Sequence, residues 1–333
     1  MKNNLFLLLL ILFPWYSLAD ATSVSAPVDS RVRVIIDNDF GGDPDGLFQL
    51  AHHLLSPSVS VQGVIASGHY AEGFYDQPGS VAFSVEQARE ILSVMQLKDS
   101  VQVFGGVPVV AGNETNEINV EAARFIVQEA MREDIKTPLF YAAGAGLTTL
   151  AQAYRLEPKI ADRLTLIWIG GPEHEGIAFL PPSNNQVEYN LGIDLKAAQQ
   201  IFNESTIPIW QVPRDAYRQA LVSHAELKHR LDKGRLGRYL TGKIESLMIK
   251  AGRQLGEAYA LGDNPLVLLS ALHSSWDADP SSSRYVQITT PRINEKGSYV
   301  KQRKGRSMRV YTQLDARLMF EDFYAKVAIF DGH

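Results

Sequence analysis

Asp37, Asp39, Asp43 and Asp45 fall within nine residues, directly behind the apolar run Val34-Ile35-Ile36. Carboxylates brought that close repel. Two unit charges about 4 Å apart do so by ~4 kcal/mol at an effective dielectric near 20. A fold tolerates such a cluster when a cation offsets it, and ligands that are all oxygen suit a hard ion such as Ca2+ or Mg2+. A solvated turn is the competing reading, because Asp, Gly and Pro are ordinary turn residues. An EF-hand loop is a competing metal template, and it fails. Gly41 occupies a ligand position, Phe48 stands where the bidentate Glu is needed, and a strand rather than a helix precedes the loop.

A second polar cluster, Glu188-Tyr189-Asn190, follows the apolar run that ends at Ile169. Two apart on an extended segment, Glu188 and Asn190 would point the same way and bond the hydroxyls of a sugar. Loop capping is the alternative, and Asp194 fits an N-cap for the helical pattern from Leu195. Asp263, in Gly262-Asp263-Asn264-Pro265, reads by itself as a helix N-cap. Gly144-Ala145-Gly146-Leu147-Thr148-Thr149 is glycine-rich but lacks the Lys of a P-loop and the full dinucleotide pattern. His52 and His53 read as packing or surface residues. No nucleophile-elbow pattern is found. The chain has no cysteine, which excludes disulfides, a thiolate nucleophile and Cys-ligated zinc.

These residues need elements to hold them. Strand patterns are expected over residues 32–37, 59–67, 101–104, 138–143, 164–169, 207–212, 285–288 and 308–312. Helical patterns are expected over 47–55, 85–94, 120–131, 147–154, 195–202, 225–250, 262–272 and 316–327. The apolar runs do not alternate strictly, as expected of parallel strands buried on both faces. Helices between them imply right-handed crossovers. The expectation is an α/β fold: a mostly parallel, doubly wound sheet flanked by helices. Ligands of such sheets bind at the carboxyl ends of the strands, where the aspartates fall. No repeat, linker or low-complexity tract divides the chain, so one domain is expected.

The N-terminus reads as a signal peptide, residues 1–19. Lys2 precedes an apolar core at residues 5–13, and Ser17-Leu18-Ala19 resembles a cleavage site. That core is too short to span a bilayer, which takes ~20 residues. The domain is therefore expected at residues 20–333, exported to a bacterial periplasm or secreted, with no stable membrane span. A net charge of −5 gives no electrostatic case for nucleic-acid binding. The locally basic stretch Lys301, Arg303, Lys304, Arg306 and Arg309 reads as a solvated loop.

In order and spacing these pieces resemble the inosine–uridine-preferring nucleoside hydrolases over nearly all of the mature length. The family's Asp-x-Asp-x-Gly turn and paired aspartates appear as Asp37-Asn38-Asp39-Phe40-Gly41 and Asp43-Pro44-Asp45. Its Gly-Leu-Thr-Asn appears as Gly146-Leu147-Thr148-Thr149, its Glu-Phe-Asn as Glu188-Tyr189-Asn190, and its late His-Asp as Gly262-Asp263. The resemblance implies a Ca2+-dependent N-glycoside hydrolase acting on a ribonucleoside. Asp39, Asp45, Asp263 and the Gly144 carbonyl would ligate the ion, with Asp43 a further candidate. Asp39 would take a proton from the water held by Ca2+. Glu188 and Asn190 would hold sugar hydroxyls, with His69 and Asn185 as further substrate contacts. A small-molecule substrate and a homo-oligomer are implied.

Three departures from the family pattern stand out. Gly46 replaces the second of the paired aspartates, and a two-residue insertion carries Asp43. Gly262 stands where many members carry a His implicated in protonating the leaving group, which leaves His69, Tyr70, His174 and Tyr259 as candidates by loop position. His69 follows Gly68 where the family usually has Asn. They leave two alternatives: a related hydrolase acting on a non-nucleoside glycoside, or a periplasmic metal-dependent sugar- or nucleoside-binding protein without turnover.

Overall fold

The computed structural model describes residues 28–109, 120–178, 186–274 and 282–332. The expected signal segment and Asn185 lie outside them. Strands β1 (Val32–Asn38), β2 (Val59–Ala66), β3 (Val103–Gly105), β4 (Leu139–Ala143), β5 (Leu164–Ile169) and β6 (Ile209–Val212) alternate with helices. β7 (Leu221–Ser223) and β8 (Ala258–Ala260) pair apart from the main sheet. β9 (Arg284–Thr289), a small ribbon of β10 (Arg292–Ile293) and β11 (Tyr299–Val300), and β12 (Ser307–Gln313) complete the strands. The main sheet runs β3-β2-β1-β4-β5-β6-β12-β9. All its pairings are parallel except β12 with β9. It is the doubly wound sheet expected from the sequence, with an antiparallel edge strand.

Both faces of this sheet are buried, and strand periodicity explains the division. Val34 and Ile36 join Leu47, Phe48 and Leu50 in one core layer. Ile35 joins Ile65, Tyr141, Leu147 and Trp168 in the other. The strand order reverses between β1 and β4, whose ends pair as Asp37 with Ala143. That reversal opens a crevice at the carboxyl ends of the strands. The acidic turn after β1 and the Gly144 turn after β4 face each other there.

The polar helical pattern over 225–250 is two helices, His224–Leu231 and Arg235–Lys250. The break has a tertiary cause. The Asp331 carboxylate, at the end of helix Ala316–Asp331, accepts from the Leu236 and Gly237 amides at 3.0 and 3.1 Å and so caps the second helix. Gly234 leaves room for it, since a Cβ there would overlap the Asp331 side chain. Among the described residues, no helix is long and apolar enough to cross a membrane.

Candidate active site

Asp39 leaves β1 in a tight turn. Its amide donates to Asn38 Oδ1 at 2.8 Å, and its carbonyl accepts from the Gly42 amide at 2.8 Å. The chain then enters helix Asp45–Leu54, so Asp45 sits in the first turn, where the helix dipole favours negative charge. Asp263 arrives from the opposite side, just before helix Pro265–Ser270. Its side chain does not cap that helix. It accepts instead from Asn38 Nδ2 at 2.9 Å. Gly144 is glycine for want of space: a Cβ there would lie 2.8 Å from the Asp263 carboxylate and closer still to Asn38.

Together these residues line a cavity of about 170 Å³ with Asp43, Glu188, Asn190, Phe74, Ile169, Tyr189, Tyr217, Ala260 and Gly262. Among the described residues, five carboxylates line it, and no Lys, Arg or His does. Burial, reinforced by Asp263, holds the Asp39 carboxyl well above the carboxylate range. Burial does the same to Asp45, again with Asp263 the strongest repelling charge. Burial pushes Asp43 up to about 6 and Asp263 up to about 7. The donor set therefore fits a hard divalent cation, because nothing else in the described lining offsets this charge. Among the described residues no three acidic or imidazole side chains already stand in closed ligand geometry. They lean on polar neighbours instead: Tyr259 donates to Asp43 at 2.6 Å, and the Asp45 amide donates to the same oxygen at 3.3 Å.

Asp37 is not part of this lining. It is buried under the strand ends, where Tyr141 and Ser67 donate to its two oxygens. Alternation along β1 carries the signal, since Asp37 shares a face with Ile35 and Tyr141 belongs to that face's core layer. Gly46 has a local reason. A Cβ at 46 would lie 3.0 Å from three atoms of the Asn38 carboxamide, so a carboxylate there competes with the residue that steadies Asp263.

Glu188 and Asn190 do converge on the cavity, although not on an extended segment. Glu188 is the N-cap of the short helix Tyr189–Ile193. One of its oxygens accepts from Leu191 N at 3.0 Å and Gly171 N at 2.6 Å, and the other accepts from Tyr217 Oη at 3.0 Å. Asn190 commits both amide hydrogens, to the carbonyls of Ile169 at 2.8 Å and Gly144 at 3.2 Å. The group it can offer a sugar is therefore the acceptor Oδ1. Capping and cavity lining coincide in Glu188, while Asp194 only caps, accepting from Ala197 N at 2.9 Å.

The candidate proton donors disperse. His174 bonds Gln211 at 2.8 Å and stacks on Tyr299. His174 and Tyr299 line a different cavity, of about 640 Å³, whose buried Glu173 is neutralised by Arg214 at 2.6 Å. Tyr70 donates to the Tyr189 carbonyl at 2.9 Å, and Tyr259 is spent on Asp43. His69 is buried behind Tyr189 rather than in the lining. His52 and His53 are packing residues, bonded to Asp322 and Ser270.

Phe74 and Tyr217 reach the cavity without any signal in the sequence. Phe74 comes from a loop folded on itself, with Tyr75 and Asp76 in the left-handed region and His69 N–H donating to Gly79 O at 3.0 Å. Tyr217 follows β6 and packs over Gly262, where a Cβ would meet its ring at 3.4 Å. Phe74, Tyr189 and Tyr217 thus place three aromatic side chains in the same cavity as the acids.

The family model described as inosine-uridine preferring nucleoside hydrolase matches residues 34–321. An enzyme of that description from Crithidia fasciculata is 40% identical over 92 residues, 27% of this chain and 26% of that one. One from Leishmania major is 37% identical over 108 residues, 32% of each chain. The chain thus aligns with only about a quarter to a third of the length of these curated relatives. Among solved structures, a purine-preferring ribonucleoside hydrolase from Gardnerella vaginalis superposes with a TM-score of 0.67 at 18% identity, covering 90% of this chain and 99% of that one. An inosine-uridine preferring nucleoside hydrolase from Bacillus anthracis gives 0.63 at 18% identity, covering 89% and 99%. At such identity these two likenesses speak to the fold.

Proposed function

The chain belongs to the inosine-uridine preferring nucleoside hydrolase family, and from that premise we propose that it hydrolyses the N-glycosidic bond of ribonucleosides with Ca2+ as cofactor. The family is metal-dependent. The observation that carries the reading is the cavity at the strand-order reversal, lined among the described residues by five carboxylates and no basic side chain. Asp39, Asp45, Asp263 and the Gly144 carbonyl would hold the ion, with Asp43 beside them. Bound there, Ca2+ supplies a Lewis acid for the attacking water and a grip on ribose hydroxyls.

The chain's own residues do the rest. Asp39 accepts a proton from the attacking water, a role suited to a carboxylate that the cation holds ionised. Asn190 Oδ1 and the Glu188 carboxylate accept from ribose hydroxyls and fix the anomeric carbon against that water. The same negative lining stabilises the positive charge that develops on the sugar as the base departs. Phe74 and Tyr217 offer flat apolar faces to the base.

The test is release of reducing sugar from a panel of nucleosides by the mature protein, with Ca2+, with Mg2+ and with a chelator. Calcium-dependent release is expected. Tight nucleoside binding with no release under saturating Ca2+ would replace the hydrolase with a binding protein. Asp263→Ala is expected to weaken Ca2+ binding at least about 10-fold, because it removes a direct ligand. Calorimetric titration checks this, and an unchanged isotherm would remove Asp263 from the ligand set. Export is part of the proposal, and the mature chain is expected to begin at Asp20, which mass spectrometry of the native protein decides. A homo-oligomer is likewise proposed, to be read from its mass in solution.

A further inference from the structure

Hydrolysis leaves a base that departs poorly as an anion, so a proton must reach it as the bond breaks. The cavity lining offers few proton carriers. Tyr217 has given its hydroxyl to Glu188, and Asn190 has given both amide hydrogens to carbonyls. Tyr189 is different. Its hydroxyl lies on no carboxylate or carbonyl among the described residues; its neighbour is His69 Nδ1, 3.5 Å away. His69 is only 6% exposed, and its ring also faces the Gly41 backbone. Phe74 packs edge-on against both rings, 6.5 Å from His69 and 6.0 Å from Tyr189. Where the family motif has Phe and Asn, this chain has Tyr189 and His69, and the two touch. The position that carries His in many members is Gly262, in the lining of the same cavity.

We propose that Tyr189 is the catalytic acid for the leaving base and that His69 is its positioning residue, an inference that rests on the hydrolase reading above. As the glycosidic C–N bond breaks, its electron pair goes to the base nitrogen, which takes the Tyr189 Oη proton. Water gives hydroxide to the anomeric carbon and its proton to Asp39. His69, in the tautomer protonated on Nδ1, donates a hydrogen bond to the phenol oxygen and stabilises the charge growing there. Tyr189 then recovers a proton from solvent, and Asp39 returns one. The present 3.5 Å separation is long for a hydrogen bond, as such contacts often are before substrate binds. Burial, reinforced by the Asp39 charge, raises the Tyr189 phenol above its ordinary range, so it carries its proton when substrate arrives.

The test compares two substrates, inosine and 4-nitrophenyl β-D-ribofuranoside, whose leaving group departs without a proton. In Tyr189→Phe, kcat on inosine is expected to fall about 10²- to 10⁴-fold, the usual worth of a general acid, while the nitrophenyl riboside is cleaved at close to the wild-type rate. His69→Asn is expected to show the same split at about 10-fold, the scale of one hydrogen bond to a charged group. Equal losses on both substrates would mean that Tyr189 serves the sugar or the fold, and would overturn the proposal. So would an unchanged ratio. A wild-type protein that cleaves neither substrate would instead overturn the hydrolase reading, and this proposal with it.

Discussion

Asp39→Asn is expected to lower kcat on a nucleoside by at least about 10³-fold, within the range for loss of a general base. The change keeps the shape and an oxygen donor but removes the proton acceptor. It also removes one of the negative charges that hold the cation. A simple loss of folding would look the same in an activity assay, so stability must be read too. Asp39 is buried with its carboxyl pushed well above the carboxylate range, by burial first and by Asp263 second. An ionised Asp39 therefore destabilises the metal-free fold, and Asn relieves it. The variant should be inactive and yet melt higher than wild type in a chelator. Turnover within about 10-fold of wild type would remove Asp39 from the base role, because an amide cannot take the proton.

Removal of the metal is expected to have the second largest effect, and its sign depends on pH. The cavity acids titrate higher in the folded protein than in the unfolded chain: Asp43 at about 6 and Asp263 at about 7, against an ordinary 3.8. The folded metal-free protein thus binds more protons than the unfolded chain between these limits. Its stability falls as pH rises through that window, and the loss is complete above the folded values. A carboxyl that titrates one pH unit higher when folded costs about 1.4 kcal/mol once it is ionised. Asp43 and Asp263 together then cost the chelated protein several kcal/mol at pH 8. Calcium should restore that stability at pH 8 and give little at pH 4.5, where protons compete for the same oxygens. Thermal melts with Ca2+ and with chelator across this range check it. A calcium effect independent of pH would mean that the ion is held elsewhere.

The alternation of strand and helix, the single sheet and the acidic turn at its switch point were all legible along the chain. They depend on local periodicity and on short-range turn chemistry, which neighbouring residues encode. So was the grouping of Asp39, Asp43 and Asp45, because a few residues after a strand cannot travel far. Glu188 and Asn190 were legible as a polar pair suited to sugar hydroxyls, and the resemblance added Gly144 and Asp263; their separation in the chain hides their meeting at the ends of β1, β4 and β5. Spacing alone left Asp263 as an N-cap. Only the fold, by turning its carboxylate onto Asn38, makes it a cavity wall.

What tertiary structure decided was which side chains are already committed. Asp37 looks like its neighbours in sequence, but Tyr141 and Ser67 hold it below the cavity. Glu188 and Tyr217 lie 29 residues apart and share one hydrogen bond. Phe74 reaches the site from a loop whose backbone bends through two left-handed residues. His69 stands behind the lining rather than in it, and touches Tyr189. Each of these outcomes is a long-range pairing of one donor with one acceptor, or of one ring with another. Residue type states what a side chain can bond. The partner it meets is set by the packing of elements distant in sequence, which periodicity along the chain does not record.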